Sequence, residues 1–419
     1  MDQENQQIIL TFEAARRVVE EHAASLKAHG KELVSLLEAR NRILAEPVIA
    51  DRDYPPFHRA TRDGYALKAS GLSGAPVTLQ IIGEIQAGIS GESAPVALQP
   101  GQAVSIMTGA PVPAGADAVV MLEHASRADD GSVRIETEVQ AGSNIVASGS
   151  ETKRGERLLV PGAELDHAAI ALAASVGKVH LLVYRRPRVA VLATGNEVVD
   201  IDIPPGANQI RNSNTYSLAA QIADGGGEPV LLPIAPDDPK RIRELIIEGL
   251  EADLLLLSGG VSAGKYDFVE PVLAEIGAEF LFNGVKIQPG RPLVFGRMPA
   301  KKGPAASPKF FFGLPGNPVS TMVTFQLFVR PVLATLCGGR AEKLIFLKAK
   351  LKSDIKIKTG LTRFLPAILS GEFENTEVEL VRWQGSGDIA ALARANCYLV
   401  VPEDRDNLAA GESVSVIQR

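Results

Sequence analysis

The spacing of apolar and polar positions changes along the chain and divides it into segments of different character. At the amino end, apolar residues recur at helical spacing behind a possible cap at Thr11, which predicts an amphipathic helix over 11–28. Beyond Pro47, short apolar runs such as 77–82 and 118–122 are broken repeatedly by Gly and Pro. Such runs are typical of short strands joined by turns, so we expect a small β-rich domain over 51–149.

From Arg188 onward, apolar runs of strand length alternate with helical periodicity. This alternation predicts a doubly wound, mostly parallel α/β sheet with right-handed crossovers. The predicted strands are 189–193, 229–234, 254–257 and 310–312, and the predicted helices are 213–223, 239–250, 268–276 and 319–336. After Gly338-Gly339, apolar and polar residues alternate again, which predicts a C-terminal β-barrel-like domain.

A chain of 419 residues exceeds a single core and predicts a multidomain α/β protein. The segments on either side of the β-rich domain are too small to bury a core alone, so we expect them to pack together as one discontinuous helical/β domain. The predicted domains are 1–50 with 150–184, 51–149, 185–338 and 339–419.

Composition excludes several classes of protein. Apolar residues make up 46% and charged residues 22% of the chain, as in a soluble globular protein. The net charge of −6, without a block of like charge, does not favour a nucleic acid or an anionic membrane as partner. Cys337 and Cys397 are too far apart for a disulfide framework or a zinc site. With no apolar run near the ~18 residues of a membrane span, we expect a cytoplasmic location.

Two of the predicted strands end in loops of small residues. The run 254–257 stops at the loop 258–264, and the run 310–312 stops at the loop 313–318. Glycine lets backbone N–H groups approach an anion closely, and Ser262 and Asp267 add a hydroxyl and a carboxylate. These groups suit a phosphate and its metal ion. A glycine-rich turn is also an ordinary connection after a strand, so the loop 258–264 alone does not decide between the two.

Three acidic residues follow predicted strands. Glu197, Asp237 and Asp267 lie at strand ends that meet at one edge of a parallel sheet. Their oxygens are the ligands that Mg²⁺ with a bridging pyrophosphate prefers. An acid at the start of a helix is more often a cap, and either Asp237 or Asp238 fits that role. For Glu197 and Asp267 the spacing leaves both a metal ligand and an ordinary loop acid open.

A basic group of residues lies between two later strands and in the terminal domain. It comprises Lys286, Arg291 and the turn 288–290, with Arg363 and Ser386 further along. Cations and hydroxyls are what a tetrahedral oxyanion requires, although most lysines and arginines only solvate a surface.

These segments together resemble the molybdopterin molybdenumtransferase family, bacterial enzymes that share their fold with the carboxyl-terminal part of gephyrin. The order and intervals of the matching strings argue against chance. The strings are PPF with DGYA (55–66), IMTGAPVP (106–113), TGNE (194–197), RNSN (211–214), SGGVSAG (258–264) with Asp267, QPGRP (288–292), GLPGNPVS (313–320) and QGSG (384–387).

The resemblance implies a four-domain subunit in a homodimer, with Asp63 and Thr108 acting on the partner's cleft. It implies an enzyme that takes adenylylated molybdopterin and molybdate, cleaves the phosphoanhydride with Mg²⁺, releases AMP and leaves molybdenum on the dithiolene sulfurs. The catalytic residues implied are Asp63, Thr108, Glu197, Asp237 and Asp267, with Asp267 and either Asp237 or Glu197 on the metal. The substrate-binding residues implied are Asn214, Gly259, Gly260, Ser262, Gly264, Lys286, Pro289, Arg291, Ser320, Arg363 and Ser386.

The chain departs from the family pattern at two positions that are usually basic, where it has Val146 and Gln288. Two alternative functions stay open. One is a molybdopterin adenylyltransferase, which needs only the doubly wound domain, so the further domains argue against it. The other is a gephyrin-like scaffold, for which the sequence lacks an added partner domain. The resemblance also suggests contact with the upstream adenylyltransferase.

Overall fold

The computed structural model describes residues 8–28, 30–88, 97–260, 267–299, 308–340 and 343–419. The α-helices in these ranges are Phe12–Ala24, His167–Ser175, Ser213–Asp224, Pro239–Gly249, Val269–Glu275, Pro318–Thr324, Arg330–Leu336 and Ile389–Arg394. Short 3₁₀ turns lie at Ala69–Leu72, Leu122–His124 and Phe373–Asn375.

The first helix runs from Phe12 to Ala24, and the Thr11 hydroxyl caps it by accepting a hydrogen bond from Ala14 N–H at 3.3 Å. It ends earlier than predicted, because Ser25 closes it. Phe12 packs edge-on against Phe328 and Phe364, with ring centroids 6.0 and 5.0 Å apart. The helix is therefore part of the core shared by the doubly wound and terminal domains.

The rest of the amino-terminal flank pairs with the segment that follows the β-rich region. Lys31–Ser35 is antiparallel to His180–Tyr184, and Val48–Ile49 is antiparallel to Arg157–Leu159. Side chains of both segments, with helix His167–Ser175, enclose one apolar cluster. These pairings are compatible with a discontinuous domain, whose boundaries stay a prediction.

The β-rich region is built on one sheet. Within the described residues its strands lie in the order Ala118–Met121, Gly64–Leu67, Gln102–Ile106, Val77–Ile85, Ser132–Ile135 and Ala125–Arg127. Small strands at Arg59–Ala60 and Ile145–Val146 pair beside it. At Gly64 a Cβ atom would lie 1.9 Å from the Val120 carbonyl oxygen, so this strand crossing requires glycine.

The doubly wound sheet confirms the predicted fold class. Across the described residues its strand order is Glu228–Leu231, Arg188–Ala193, Leu254–Ser258, Lys309–Leu314, Val294–Met298 and Glu279–Phe282. Neighbours among the first four strands are parallel, and the last two strands are antiparallel additions. Helices cover both faces, which explains the continuous apolar runs at 254–257 and 310–312.

The helical run Pro318–Leu336 forms the centre of the core. It has a π-helical turn at Phe325–Val329 between its two α-helical parts. Of the described helices, only this one is long and apolar enough to cross a membrane, contrary to the expectation that no apolar run approaches that length. Since 78% of that stretch is buried inside the protein, packing against the sheet accounts for its composition.

The terminal region confirms the predicted β-barrel-like domain. Strands Thr362–Ser370, Glu377–Leu380, Leu347–Leu351, Ser413–Gln418 and Cys397–Val401 pair in this order, and the last pairs again with the first. The described strands therefore close into a barrel around an apolar interior. Its strand Thr362–Ser370 also pairs in parallel with Ile287–Gln288, which joins the barrel to the doubly wound domain.

Further short strand pairs complete the described structure. They are Ile9–Leu10 with Gly284–Val285, Val198–Val199 with Ile210–Arg211, and Ile355–Lys356 with Asn407–Leu408.

Candidate active site

A cleft of about 450 Å³ opens at the carboxyl edge of the parallel strands, where ligands bind in open α/β sheets. Its walls come from the ends of Arg188–Ala193, Leu254–Ser258 and Lys309–Leu314. The lining includes Glu197, Asn214, Asp237, Gly259, Gly260 and Asp267. The structure thus brings six of the predicted site residues to one hollow.

Two glycines follow strand Leu254–Ser258, and both the backbone conformation and the lack of room for a Cβ atom require glycine there. Gly259 and Gly260 have φ angles of +93° and +65°. A Cβ atom on Gly259 would lie 2.9 Å from the Thr194 carbonyl oxygen, and one on Gly260 would lie 2.8 Å from Thr194 Oγ1. The turn therefore passes directly over Thr194 at the end of the neighbouring strand, which keeps its backbone at the cleft wall.

Asn214 ties the two small-residue loops together. Its Nδ2 donates to Ser258 Oγ at 2.9 Å and to the Gly316 carbonyl oxygen at 2.8 Å. Its Oδ1 is buried and accepts no hydrogen bond within the described residues, and the same holds for Thr194 Oγ1. Two buried polar atoms beside the cleft thus keep hydrogen-bonding capacity that a ligand can use.

Asp237 and Asp238 have separate tasks, which the sequence left open. Asp238 caps helix Pro239–Gly249, accepting from Lys240 N–H at 3.1 Å. Asp237 instead lines the cleft, and its Oδ2 accepts from Asn196 N–H at 3.3 Å while Asn196 Oδ1 accepts from Asp237 N–H at 3.1 Å. This reciprocal pair fixes two strand-end loops against each other and leaves Asp237 free of any capping role.

Glu197 and Asp267 line the same cleft as Asp237. The three carboxylates do not by themselves form a complete metal site. Among the described residues, no group of three His, Cys, Asp or Glu side chains is placed to hold a metal ion. Asp267 also lies close enough to Glu270 to raise the pKa of that carboxyl, although burial is the larger cause. The cleft therefore offers dispersed acidic oxygens, which suits an ion that keeps waters and substrate phosphates as ligands.

The predicted oxyanion residues lie outside the lining of this cleft, with Arg363 held firmly in place. Arg363 is 7% exposed, and its Nε donates to Gln288 Oε1 at 2.8 Å across paired strands. Burial lowers the pKa of Arg363. Gln288 thus accepts from a neighbouring cation that a lysine at this position would repel.

The remaining cationic and hydroxyl residues differ in exposure. Lys286 and Arg291 are exposed, whereas Ser320 is buried in the first turn of its helix. The Ser386 carbonyl oxygen accepts from Val319 N–H at 3.0 Å, so the terminal-domain loop touches the helix that begins at the cleft. Pro289 is buried next to Gln288.

Asp63 and Thr108 form a tight pair in the β-rich region, away from the cleft lining. Asp63 Oδ1 accepts from Thr108 N–H at 2.6 Å and from Thr108 Oγ1 at 2.7 Å. The bond from the Thr108 hydroxyl, followed by that from its N–H, lowers the pKa of Asp63. The pair is exposed, so a carboxylate of fixed orientation faces outward from this chain.

Two of the predicted residues, Ser262 and Gly264, lie outside the described residues. Sequence reasoning named neither Thr194 nor Asn196 as a separate site residue, although both fall within the segment 194–197. The available signal was their position directly after an apolar strand, where a polar side chain reaches the carboxyl edge.

Three family models match successive parts of the chain. Residues 10–177 match the family described as MoeA N-terminal region (domain I and II). Residues 190–335 match a probable molybdopterin binding domain, and residues 348–418 match the MoeA C-terminal region (domain IV). A molybdopterin molybdenumtransferase from Nostoc is 36% identical over 92% of this chain and 88% of that protein. The chain belongs to the molybdopterin molybdenumtransferase family.

Other members of the family agree in sequence and in fold. The molybdopterin molybdenumtransferase of Haemophilus influenzae is 34% identical over 92% of this chain and 93% of that protein. A molybdopterin biosynthesis moeA protein of Pyrococcus horikoshii superposes with a TM-score of 0.80 at 29% identity, over 98% of this chain and 100% of that one. The multidomain fold of the family is therefore present over nearly the whole chain.

The residue that faces Val146 across its strand pair is an arginine. Val146 is the partner of Arg59 in the small antiparallel pair beside the β-rich sheet. Arg59 also approaches Glu151, with an N–O distance of 3.5 Å. Val146 therefore faces a cation, Arg59, on the neighbouring strand.

Proposed function

We propose that the chain is a molybdopterin molybdenumtransferase, which inserts molybdate into adenylylated molybdopterin and releases AMP in a late step of molybdenum cofactor biosynthesis. The observation that carries this proposal is the single cleft lined by Gly259, Gly260 and three carboxylates at the carboxyl edge of the sheet. Backbone amides at such loops bind phosphate, and acidic oxygens bind the ion that neutralises it. Family membership supports the same reaction.

The donor chemistry of the cleft fits Mg²⁺, the metal that we propose. Glu197, Asp237 and Asp267 supply carboxylate oxygens, and Asn214 Oδ1 is a buried acceptor without a partner within the described residues. Bound Mg²⁺ would supply charge neutralisation on a phosphoanhydride. Asp267, with Asp237 or Glu197, is the proposed ligand set.

The oxyanion substrate needs cations, which the cleft lining lacks apart from Arg211 within the described residues. We assign molybdate to the neighbouring group of Lys286, Arg291, Ser320, Arg363 and Ser386. Arg363 is the best placed of these because Gln288 fixes its guanidinium and burial strengthens its interaction with an anion. Arg291 adjoins Pro292 of the cleft lining, so the two substrates would lie side by side.

An assay of AMP release tests this function. Purified full-length protein with adenylylated molybdopterin and Mg²⁺ should release AMP only when molybdate is added, and Asp267→Ala should abolish the release. AMP is quantified by chromatography. Release that does not depend on molybdate would contradict molybdenum insertion, and formation of adenylylated molybdopterin and pyrophosphate from ATP and molybdopterin would instead identify an adenylyltransferase.

We propose further that the active unit is a homodimer in the cytoplasm, with contact to the upstream adenylyltransferase. Leu33 on strand Lys31–Ser35, Leu37 in the turn after it and Val179 just before the paired strand His180–Tyr184 are 66%, 81% and 70% exposed. Exposed apolar side chains grouped in this way are typical of an interface. Asp63 and Thr108 are absent from the described lining of their own chain's cleft, which suits action on the partner's cleft.

Mixing two inactive variants tests the shared site. If Asp63 acts on the partner's cleft, a heterodimer of Asp63→Asn and Asp267→Ala chains contains one intact site. An equal mixture after subunit exchange should then regain about a quarter of the wild-type activity, since about half of the dimers are mixed. Restoration is measured as molybdate-dependent AMP release. No recovery, with heterodimers verified by mass spectrometry, would place Asp63 in the cleft of its own chain or outside catalysis.

A further inference from the structure

A second cavity, of about 410 Å³, lies at the opposite end of the doubly wound sheet from the cleft. It is lined by the connector Tyr184–Arg186 before strand Arg188–Ala193 and by the loop that precedes strand Glu228–Leu231. A strand rises about 3.3 Å per residue, so the cavity and the cleft are separated by roughly 20 Å along Arg188–Ala193. The two are therefore distinct sites.

The cavity is formed where two domains meet. Asn41–Ile43 and Gly162 belong to the discontinuous region, and Ala334, Cys337 and Gly339 belong to the end of the core helix. Its volume falls within the range of small-molecule sites. An occupant would contact both domains at once.

Positive charge dominates the walls of the cavity. Its described lining contains five arginines and two acids: Arg42, Arg185, Arg186, Arg330 and Arg340, with Glu164 and Asp224. Arg42 is 8% exposed, donates to Glu32 and donates to the Tyr184 carbonyl oxygen at 2.8 Å. For Arg185, Arg186 and Arg340 there is no ion pair within the described residues.

Arg42 and Arg186 both lie near Cys337 in the wall of the cavity. Both lower the pKa of the Cys337 thiol, against the larger effect of burial, which raises it to about 12. Cys337 Sγ donates to the Gly225 carbonyl oxygen at 3.5 Å, and both residues line the cavity. The protonated thiol carries no charge that would neutralise the two guanidinium groups.

Helix capping does not account for these arginines. Helices Ser213–Asp224 and Arg330–Leu336 both end at the cavity, and guanidinium groups often bind the last carbonyl oxygens of a helix. Here backbone amides take that role. At the end of the first helix, the carbonyls of Gln221, Ala223 and Ile222 accept from the N–H groups of Gly225, Gly226 and Gly227, respectively. At the end of the second, the carbonyls of Leu333, Thr335 and Ala334 accept from the N–H groups of Cys337, Gly338 and Gly339, respectively.

We propose that this cavity binds the phosphoryl group of a small anion, either inorganic phosphate or a phosphate monoester. Guanidinium groups present paired donors that match a tetrahedral oxyanion, and arginine is favoured where such groups are recognised. Arg42 comes from the discontinuous region, whereas Arg186 precedes the first strand of the doubly wound domain and Arg340 follows its core helix, so the anion would contact both sides of the junction. Binding would then stabilise the relative position of the domains.

Paired variants of the full-length protein test the proposal by calorimetric titration with inorganic phosphate and, separately, with glycerol 3-phosphate. Arg186→Gln with Arg340→Gln should weaken binding at this site at least tenfold and remove the phosphate-induced rise in Tm. The matched control is Arg127→Gln with Arg157→Gln, which removes the same charge from exposed positions outside the cavity. The control should bind like the wild type.

The two ligand arms identify the source of the phosphoryl group. Tighter binding of inorganic phosphate indicates the free ion, and tighter binding of glycerol 3-phosphate indicates a monoester; both support the site. Equal affinities of the two double variants, or no binding by the wild type at millimolar ligand, would overturn it. Because the readout is binding rather than AMP release, the result does not depend on the proposed function.

Discussion

Asp237→Asn is expected to lower molybdate-dependent AMP release about 100-fold or more while leaving the fold intact. The amide keeps an oxygen that accepts from Asn196 N–H, so the reciprocal contact between the two loops is preserved. What is lost is the negative charge at the cleft wall. Loss of a supporting contact to a metal ligand already costs 10–100-fold in metal affinity or activity, and loss of a ligand's charge should cost at least as much.

The adjacent residue supplies the matched control. Asp238→Ala removes the cap on Lys240 N–H and should lower the free energy of unfolding by about 1 kcal/mol without changing the rate or the Mg²⁺ dependence of AMP release. AMP release as a function of Mg²⁺ concentration, together with urea unfolding, separates the two effects. Wild-type rate and Mg²⁺ dependence in Asp237→Asn would remove this residue from the ligand set.

Asp237 and Asp238 also show what the sequence alone does not determine. Both residues precede Pro239, and either is chemically able to cap the helix that begins there. The choice depends on which carboxylate faces Lys240 N–H, and that follows from the position of the Asn196 loop on the neighbouring strand. Local sequence contains no information on a contact between residues separated by 41 positions.

The fold class was accessible from the sequence because the apolar periods are strong. Continuous apolar runs at 254–257 and 310–312 and the helical period after Asp238 reflect burial on both faces of a parallel sheet. The barrel-like terminal domain was predicted, but the order in which its strands pair and the docking of helix Phe12–Ala24 on the core were not accessible. Each depends on pairings between segments that lie far apart along the chain.

Part of the candidate site was predictable because the fold class was predictable. Glu197, Asp237 and Asp267 meet because parallel strands end at one edge, which is a property of the fold class, whereas Asn214 was indicated only by the family resemblance. By contrast, the bond from Arg363 to Gln288 requires the pairing of two domains, and no local pattern indicates it. The arginine-lined cavity at the domain junction was missed because its arginines are scattered from Arg42 to Arg340.

Gly260→Ala is expected to destabilise the doubly wound domain by about 2–5 kcal/mol and to abolish AMP release. With φ at +65°, an alanine here costs about 1–2 kcal/mol in backbone energy. Its Cβ would also lie 2.8 Å from Val269 Cγ2, on a buried β-branched side chain whose rotamer is restricted. Overpacking of this kind adds about 1–3 kcal/mol, so the turn must shift away from Thr194 and take the proposed phosphate-binding amides with it.

Gly277→Ala measures the cost of the positive φ angle without the steric clash present at Gly260. Gly277 has a similar φ of +88° and follows helix Val269–Glu275 in the same domain, but a Cβ atom there has no neighbour within 4 Å among the described residues. Alanine at Gly277 should therefore cost only about 1–2 kcal/mol and leave AMP release unchanged. Urea unfolding followed by circular dichroism compares the two variants. Equal losses of stability would mean that Gly260 is required for its φ angle alone, and the close passage of the turn over Thr194 would then carry no energetic weight.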